Sequence, residues 1–125
     1  MAVERLADRV ARVIDRDEHV LLVAERAGQV VGWIHAAQQE LVESERRCEI
    51  LGLVVDTKQR RTGAGRCLVD AIEAWARQRG LEEVSVRSAI TRAESHPFYE
   101  RLGFVRAKTQ HVYRKQVAAP GAVRA

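Results

Sequence analysis

A short segment with two arginines and two glycines is the part of the sequence with the clearest capacity for chemistry. It reads DTKQRRTGAGR over residues 56–66 and contains Arg60, Gly63 and Gly65 at the spacing Arg-x-x-Gly-x-Gly. Glycines at the start of a helix let backbone N–H groups approach an anion, and the helix dipole favours negative charge there. The segment matches neither the Walker pattern Gly-x-x-x-x-Gly-Lys-Ser/Thr nor the dinucleotide-binding pattern Gly-x-Gly-x-x-Gly. The segment therefore indicates either a phosphate site or a glycine-rich helix start with solvated arginines.

A single carboxylate lies in the apolar segment that precedes this loop. The sequence CEILGLVV over residues 48–55 contains Glu49 and no other acidic residue. A carboxylate among apolar side chains can serve as a base that takes a proton from a reacting group. The alternative is a glutamate at the exposed start of the strand, paired with Arg46 or Arg47.

The cysteine content predicts neither a disulfide nor a metal site. Cys48 and Cys67 are far apart in the sequence, and neither belongs to a Cys-x-x-Cys motif or to a cysteine–histidine cluster with zinc spacing. We expect both thiols to be reduced and partly buried, as in most cytoplasmic proteins. We assign neither of them a role in chemistry.

The composition is that of an ordinary globular domain with a basic balance. The chain has 125 residues, of which 46% are hydrophobic and 30% are charged, and its formal net charge is +4. Basicity favours an anionic partner. A nucleic-acid partner is disfavoured, because aromatic residues make up only 5% of the chain and no dense basic tract is present. No apolar run is long enough for a membrane span, and residues 1–14 do not resemble a signal peptide, so we expect a cytoplasmic protein.

The hydrophobic pattern predicts an amphipathic helix, a β-hairpin, and then strands that alternate with helices. Gly28 is available for the hairpin turn, and Gly80 is placed to end the long helix. The predicted helices cover residues 1–14, 60–79 and 93–102. The predicted strands cover residues 19–25, 30–37, 48–55 and 82–90, with one or two more between residues 104 and 117.

This order of elements predicts an α/β (α+β) fold in which a mixed sheet has helices on its faces. A strand, a long helix and a further strand can form one right-handed parallel crossover. We expect one domain over residues 1–117, followed by a flexible tail at residues 118–125, which is rich in small residues.

Two segments resemble the signatures of a known family. Residues 55–65 resemble motif A of the GNAT superfamily of acetyl-CoA-dependent N-acetyltransferases, in which Gln/Arg-x-x-Gly-x-Gly/Ala follows an apolar strand ending in valine. Thr57 stands where members usually have a proline. Residues 96–104, HPFYERLGF, resemble the family's aromatic-Tyr-x-x-x-Gly-Phe signature. Both occur in the family's order and spacing, and the sequence from Glu49 to Phe104 resembles the branch that contains aminoglycoside N-acetyltransferases and many uncharacterised relatives.

The resemblance implies a mixed, mostly antiparallel sheet flanked by helices and splayed between the strands at 48–55 and 82–90. Members usually begin with a strand and a helix before the helix that residues 1–14 resemble, so the resemblance implies that this first unit is missing here. The splay is where the pantetheine arm of acetyl-CoA enters and pairs with the backbone in the manner of an added strand.

The resemblance also implies which residues bind acetyl-CoA, the co-substrate, with no metal involved. Backbone groups of residues 53–55 would pair with the pantetheine arm, and the glycine loop would bind the pyrophosphate. The cofactor-binding set is Leu53, Val54, Val55, Arg60, Arg61, Thr62, Gly63, Ala64, Gly65 and Arg66.

Two residues are the catalytic candidates that the resemblance implies. Glu49 would be the general base, acting through water on the attacking amine. Tyr99 would be the general acid that protonates the departing CoA thiolate, since a phenol keeps its proton at neutral pH. The alternative for Tyr99 is a core tyrosine with a satisfied hydroxyl. Arg92 stands where many members have an asparagine that contacts coenzyme A, and His96 is either a second proton shuttle or a structural histidine.

The resemblance thus implies an acyltransferase that moves an acetyl group from acetyl-CoA to a primary amine of a small molecule. The alternatives are a non-catalytic CoA-binding regulatory domain, an acetyltransferase that acts on a protein amine, and a nucleic-acid-binding protein. We expect no nucleic-acid or membrane partner. We expect a homodimer, because residues 19–25 form an apolar strand that would be an unprotected edge of the sheet.

Overall fold

The computed structural model describes residues 15–42, 44–59, 62–87 and 95–118. The helix predicted over residues 1–14 lies outside these ranges. Contacts within the chain group its residues into two compact units, Met1–Ala89 and Ile90–Ala125. The single domain expected over residues 1–117 and the flexible tail at residues 118–125 stay predictions.

The described part of the first unit contains four strands, a turn of 3-10 helix and one long helix, and that of the second unit contains one short helix. In chain order they are β1 (His19–Arg26), β2 (Gln29–Leu41), β3 (Ser44–Val55), the 3-10 turn (Thr57–Gln59), α1 (Ala64–Gln78), β4 (Val84–Val86) and α2 (Ser95–Arg101). The predicted hairpin and central strand are confirmed, and the long helix predicted over residues 60–79 is present as Ala64–Gln78, because the turn at residues 62–63 precedes it. The polar stretch at residues 38–47 was expected to be a loop or a strand extension, and its residues 38–41 and 44–47 extend β2 and β3.

The sheet has the order β1-β2-β3-β4, with antiparallel pairing of β1 to β2 and of β2 to β3, and parallel pairing of β3 to β4. The β1–β2 turn consists of Ala27 and Gly28, whose φ angles are 52° and 77°. Two consecutive positive φ angles define the type I′ turn, whose twist matches that of the strands it joins. The sheet is therefore mixed and mostly antiparallel, as expected.

Helix α1 covers one face of the sheet with an apolar stripe. Its buried residues are Leu68, Val69, Ile72 and Ala76, and each large aliphatic side chain contributes about 1.5–3 kcal/mol by leaving water. The helix ends where predicted: Gly80 has a φ of 75°, and the N–H of Leu81 donates to the carbonyl of Ala76 at 2.9 Å. None of the described helices has the length and apolar character that a membrane crossing requires.

One of the two cysteines departs from the prediction that both are partly buried. Cys67 was expected to be partly buried, but the helix turns it to the exposed side, while Cys48 in β3 is buried. The buried residues Leu68, Val69, Ile72 and Ala76 occupy an arc of about 100° around the helix axis, and Cys67 lies about 100° outside the Leu68 edge of that arc.

Strands β3 and β4 pair only briefly. The register joins Cys48, Glu49 and Ile50 to Val84, Ser85 and Val86, and Arg87 is already outside the strand. Over residues 51–55, β3 has no partner on this side among the described residues. β4 covers Val84–Val86 of the strand predicted at 82–90, residues 88–90 lie outside the described residues, and the splay between the two strands stays a prediction.

The second unit contains α2, which ends at Gly103 with a φ of 93°. The N–H of Phe104 donates to the carbonyl of Tyr99 at 3.0 Å and closes the helix end. The prediction of strands within residues 104–117 is wrong for this chain: residues 104–118 contain no strand, and Tyr113 is 90% exposed. Strand propensity describes a fit to a neighbouring strand, and the sequence does not specify that neighbour.

Candidate active site

Glu49 lies near the centre of the sheet, with a strand on either side of it. It pairs with Ala37 of β2 and with Ser85 of β4. The residue is only 8% exposed, and its Oε1 forms an ion pair with Nε of Arg87 at 3.3 Å. The Arg87 side chain is 73% exposed, so this pair contributes little to stability. Its effect is to compensate a negative charge that the apolar surroundings would otherwise disfavour.

A β-bulge determines which face of the sheet Glu49 belongs to. Along β3, Gly52 pairs with His35, but the next paired residue is Ile50, and the register passes over Leu51. Side chains alternate between faces along a strand, so a single extra residue exchanges the two faces beyond it. The bulge therefore places Glu49 on the same face as Gly52 and His35, which is opposite to the face that α1 covers.

An aromatic side chain bounds this face on the side of β2. A Cβ atom added at Gly52 would lie 2.9 Å from Cζ3 of Trp33, so the indole ring covers the glycine and leaves no space for a side chain. Trp33 is two residues before His35 on β2 and shares its face. The face is thus bounded by Trp33 and Glu49, and its centre is formed by the small residues Gly52 and Ala37.

Two histidines form a direct contact on this face. Nδ1 of His19 lies 2.9 Å from Nε2 of His35, in a partly buried pair that joins β1 to β2. The ring centroids are 5.1 Å apart, which is about the nitrogen–nitrogen distance plus one ring radius at each end, so the rings meet edge to edge in hydrogen-bonding geometry rather than face to face. Burial, and secondarily the charge of His19, lowers the pKa of His35.

The glycine segment forms the start of α1. An Asx turn, in which the N–H of Lys58 donates to Oδ1 of Asp56 at 3.0 Å, directs the chain out of β3. Gly63 then occupies the N-cap position with a φ of 89°, and nothing lies within 4 Å of a Cβ atom built there. The first turn of α1 has no acidic residue and no side-chain cap. Its N–H groups and dipole therefore face an uncapped, exposed position that fits an anion.

The end of β3 offers backbone groups along the splay. On one side, Leu53, Val54 and Val55 pair with β2, and the N–H of Asp56 donates to the carbonyl of Val31 at 2.8 Å. On the other side no strand is paired within the described residues. An extended amide-containing ligand can add there as a strand would.

The remaining residues of the glycine segment are described only in part. Arg60 and Arg61 lie outside the described residues, as does Arg92. Thr62 is exposed, and Ala64 and Gly65 are partly exposed. Arg66 forms an exposed pair with Asp70, 3.9 Å from Nε to Oδ2.

Tyr99 belongs to an aromatic cluster in the second unit. Its ring meets Phe98 and Phe104 edge to face, with centroids 5.1 and 5.6 Å apart, an arrangement that stabilises an aromatic pair by about 0.5–1.5 kcal/mol. The ring is partly buried. The role of Tyr99 as an acid and the alternative of a core tyrosine both stay open on this geometry.

Four side chains near Glu49 were not among the sequence candidates. Trp33, His35 and His19 share its face, and the ion pair involves Arg87 rather than Arg46 or Arg47. The two-residue alternation in VVGWIHAA does indicate that Trp33 and His35 share a face. The role of Arg87 depends on the register between β3 and β4, for which the sequence contains no signal.

The cysteines and acidic groups offer no further centre in the described part of the chain. Burial, and then the negative charge of Glu49, raises the pKa of the Cys48 thiol to about 11, so the group stays protonated and unreactive at neutral pH. Three or more potential metal ligands do not converge anywhere among the described residues.

The chain was compared with protein families and with curated proteins. Residues 2–104 match the model of the acetyltransferase (GNAT) family. The chain is 33% identical over 117 residues to acetyl transferase GW6a of Oryza sativa subsp. japonica, covering 83% of this chain and 28% of that protein. It is 35% identical over 95 residues to the mycothiol acetyltransferase of Thermobispora bispora, covering 74% of this chain and 32% of that protein. The chain therefore spans about a third of the length of these two relatives.

A solved structure shares the fold. The aminoglycoside 6'-N-acetyltransferase AAC(6')-IG from Acinetobacter haemolyticus, crystallised without ligand, superposes with a TM-score of 0.83 at 20% sequence identity. The match covers 94% of this chain and 84% of that one. Because the sequence identity is only 20%, the superposition shows a shared arrangement of strands and helices.

Proposed function

Because the chain belongs to the acetyltransferase (GNAT) family, we propose that it transfers the acetyl group of acetyl-CoA to a primary amine of a small molecule. The observation that supports this most is the continuity of β3 with the glycine start of α1. One segment of chain contains a buried carboxylate, a strand edge without a partner among the described residues, and a helix N-terminus that begins at a glycine, in that order. These are the three features that a base, a pantetheine arm and a pyrophosphate require.

The acetyl-CoA site is proposed on the groups that fit its parts. The pyrophosphate lies at the N–H groups of Thr62, Gly63, Ala64 and Gly65, and Arg60, Arg61 and Arg66 supply positive charge. The pantetheine arm follows the open edge of Leu53, Val54 and Val55. This places the thioester near the bulge at Leu51, on the strand that also contains Glu49.

The proposed reaction is direct attack of the amine on the thioester carbonyl. Glu49, acting through water, removes a proton from the attacking nitrogen, and Tyr99 donates a proton to the sulfur as the carbon–sulfur bond breaks. Backbone N–H groups at the splay are suited to stabilise the oxyanion. Arg87 keeps the Glu49 carboxylate oriented by its contact at 3.3 Å.

The acceptor is proposed to be a small-molecule amine such as an aminoglycoside, because the structural neighbour AAC(6')-IG acts on that class. Thiol release from acetyl-CoA, measured against an aminoglycoside, a diamine and a peptide with a free N-terminus, tests this. Release with the aminoglycoside or diamine supports the proposal. Release with the peptide alone favours a protein acceptor, and acetyl-CoA binding without release favours a regulatory domain. The cytoplasmic location expected from the sequence stays a prediction.

Replacing Tyr99 with phenylalanine is expected to lower kcat about 10- to 100-fold while leaving the chain folded. The substitution retains the ring contacts with Phe98 and Phe104 and removes only the hydroxyl, which is the proposed acid. The matched control is Tyr113→Phe, which removes a hydroxyl from a 90% exposed ring. Equal thiol-release rates in both variants would return Tyr99 to a packing role.

The expected homodimer is proposed on two exposed features. β1 is an edge strand of the described sheet, and Val23 within it is 53% exposed. In the second unit, Val105 and Val117 are 88% and 87% exposed. Such surfaces favour association with a second copy.

Sedimentation equilibrium at micromolar concentration is expected to give twice the chain mass of 14.1 kDa. Val23→Lys is expected to shift the population toward monomer, because a charge on an edge strand opposes pairing. A monodisperse species of one chain mass in the unsubstituted protein would refute the dimer.

A further inference from the structure

The proposed reaction releases one proton for which the site must provide a path. An acceptor that arrives as R–NH3+ and reacts with acetyl-CoA gives the acetamide, the free thiol and one proton. The carbon–nitrogen bond forms and the carbon–sulfur bond breaks. Of the two protons that the nitrogen loses, one balances the proton taken up by the thiolate. The other must leave a site whose base, Glu49, is only 8% exposed.

The two paired histidines lie on the face where that proton is released. His19 pairs with Ala37 across β1 and β2, and Ala37 pairs with Glu49 across β2 and β3. His19 and Glu49 are therefore in one cross-strand row, separated by two strand spacings, or roughly 10 Å between Cα atoms. Ala37 stands between them in that row, and because its methyl group cannot accept a proton, the proton crosses from Glu49 to the pair through water. His35 joins this row through its contact with His19 at 2.9 Å.

Resting on the proposed function, we infer that His19 and His35 form a proton relay that conducts the proton of the acceptor amine from Glu49 to solvent. The role belongs to the pair rather than to either ring, because the contact between Nδ1 of His19 and Nε2 of His35 couples their tautomers. Both side chains are partly exposed, so the pair reaches from the site toward water.

The chemistry of two neutral imidazoles in this geometry is that of a relay. Each neutral ring has one N–H and one lone pair. If His19 donates in the shared hydrogen bond, its outer nitrogen is an acceptor and the outer nitrogen of His35 has a hydrogen. A proton accepted at one outer nitrogen moves the shared proton across and releases the proton at the other end. Bond making and breaking balance, and a tautomer change returns the pair to its starting state.

The titratable groups on the face of the pair come from β1, from β3 and from the end of β4. His19 comes from β1, Glu49 and Arg47 come from β3 on the same face, and Arg87 follows β4 and is paired with Glu49. Burial and the charge of His19 both lower the pKa of His35. The ring is therefore unprotonated at neutral pH and able to accept a proton. A second added proton would place hydrogens on both facing nitrogens and break the contact.

The first test concerns the pair itself and requires no activity. The titration of His35 is followed by NMR in the unsubstituted protein and in His19→Gln. We expect the pKa of His35 to rise in the variant, because the contribution of His19 is removed, while burial still holds it below the ordinary 6.5. An unchanged pKa of His35 would contradict the coupled pair. This result stands whether or not the protein acetylates the amines tested.

The second test concerns the relay and uses thiol release with the best amine of the panel. In dilute buffer, His19→Gln and His35→Gln are each expected to lower kcat about 10-fold, less than the loss of a direct base, with KM for acetyl-CoA unchanged. Imidazole added to the medium is expected to restore turnover in both variants, because it replaces the lost carrier.

The matched control is His111→Gln, which removes an exposed histidine of the second unit. It is expected to behave as the unsubstituted protein at every imidazole concentration. Wild-type turnover in both pair variants, or a loss that imidazole does not restore in a folded variant, would overturn the relay. If His35→Gln fails to fold, His19→Gln decides. Failure of the proposed function is a different result: no thiol release by the unsubstituted protein with any amine.

Discussion

Replacing Glu49 with glutamine is expected to lower kcat about 100-fold or more while leaving acetyl-CoA binding intact. Glutamine has the same size and keeps an oxygen near Arg87, but it cannot take a proton, so only the proposed base function is removed. Because the exposed Arg87 contributes little to stability through this ion pair, the variant is expected to remain folded. Thiol-release kinetics and calorimetric titration with acetyl-CoA measure the two quantities.

Arg87→Gln separates the base from its ion pair. This variant removes the cation and retains the carboxylate, so we expect a loss of less than about 10-fold, which is below the range of a lost general base. If Arg87→Gln and Glu49→Gln lose the same activity, the ion pair rather than proton transfer is what the site requires. Wild-type kcat in Glu49→Gln would return Glu49 to a structural role.

Replacing Gly63 with valine is expected to remove most of the affinity for acetyl-CoA. The φ of 89° at this N-cap is one that a β-branched residue adopts only with strain, and the side chain would occupy the exposed position proposed for the pyrophosphate. Each charge-assisted hydrogen bond lost there costs about 1.5–3 kcal/mol, which corresponds to about 10-fold or more in affinity. Calorimetric titration with acetyl-CoA gives the dissociation constant.

Gly80→Val is the matched control at the other end of the same helix. Gly80 has a φ of 75° and, like Gly63, open space around a Cβ atom built on it. Both substitutions are expected to lower the free energy of unfolding by about 1–2 kcal/mol, since both force a side chain into the left-handed region. Only Gly63→Val is expected to lose binding. Equal affinity in the two variants would remove the pyrophosphate from the start of α1.

The sequence predicts the elements of the site better than their mutual placement. The apolar run at 48–55, the glycine at position 63 and the stripe of Leu68 and Ile72 each depend on neighbours in the chain, and local patterns record such dependence well. β3 and the buried face of α1 were therefore predictable, whereas the helix predicted from residue 60 begins at Ala64. The end of α1 was also predictable, because glycine readily adopts a positive φ such as the 75° of Gly80.

The face on which Glu49 lies could not be predicted in the same way. Strict alternation along β3 would separate Glu49 from Gly52, which is three positions further on. The extra residue at Leu51 places Glu49 and Gly52 on the same face, and only the pairing of β3 with β2 shows that Leu51 is the extra residue. The contact between His19 and His35 and the ion pair of Arg87 depend equally on strand register, which the sequence does not display.

The strands expected within residues 104–117 illustrate a different limit. Val105, Val112 and Tyr113 are residue types that favour strands, but they are exposed, and the segment has no strand partner among the described residues of its own unit. Propensity identified a segment suited to pairing and gave no information about the neighbour. The proposed dimer would supply such a neighbour from a second copy.

The transfer of a labelled acetyl group tests the central proposal most directly. The protein is incubated with acetyl-CoA that carries an isotopic label in its acetyl carbons and with each amine of the panel, and the products are identified by mass spectrometry. We predict an amine heavier by one labelled acetyl group, together with an equal amount of free CoA. Label that remains in acetyl-CoA with every amine, or that appears only as free acetate, would contradict the account.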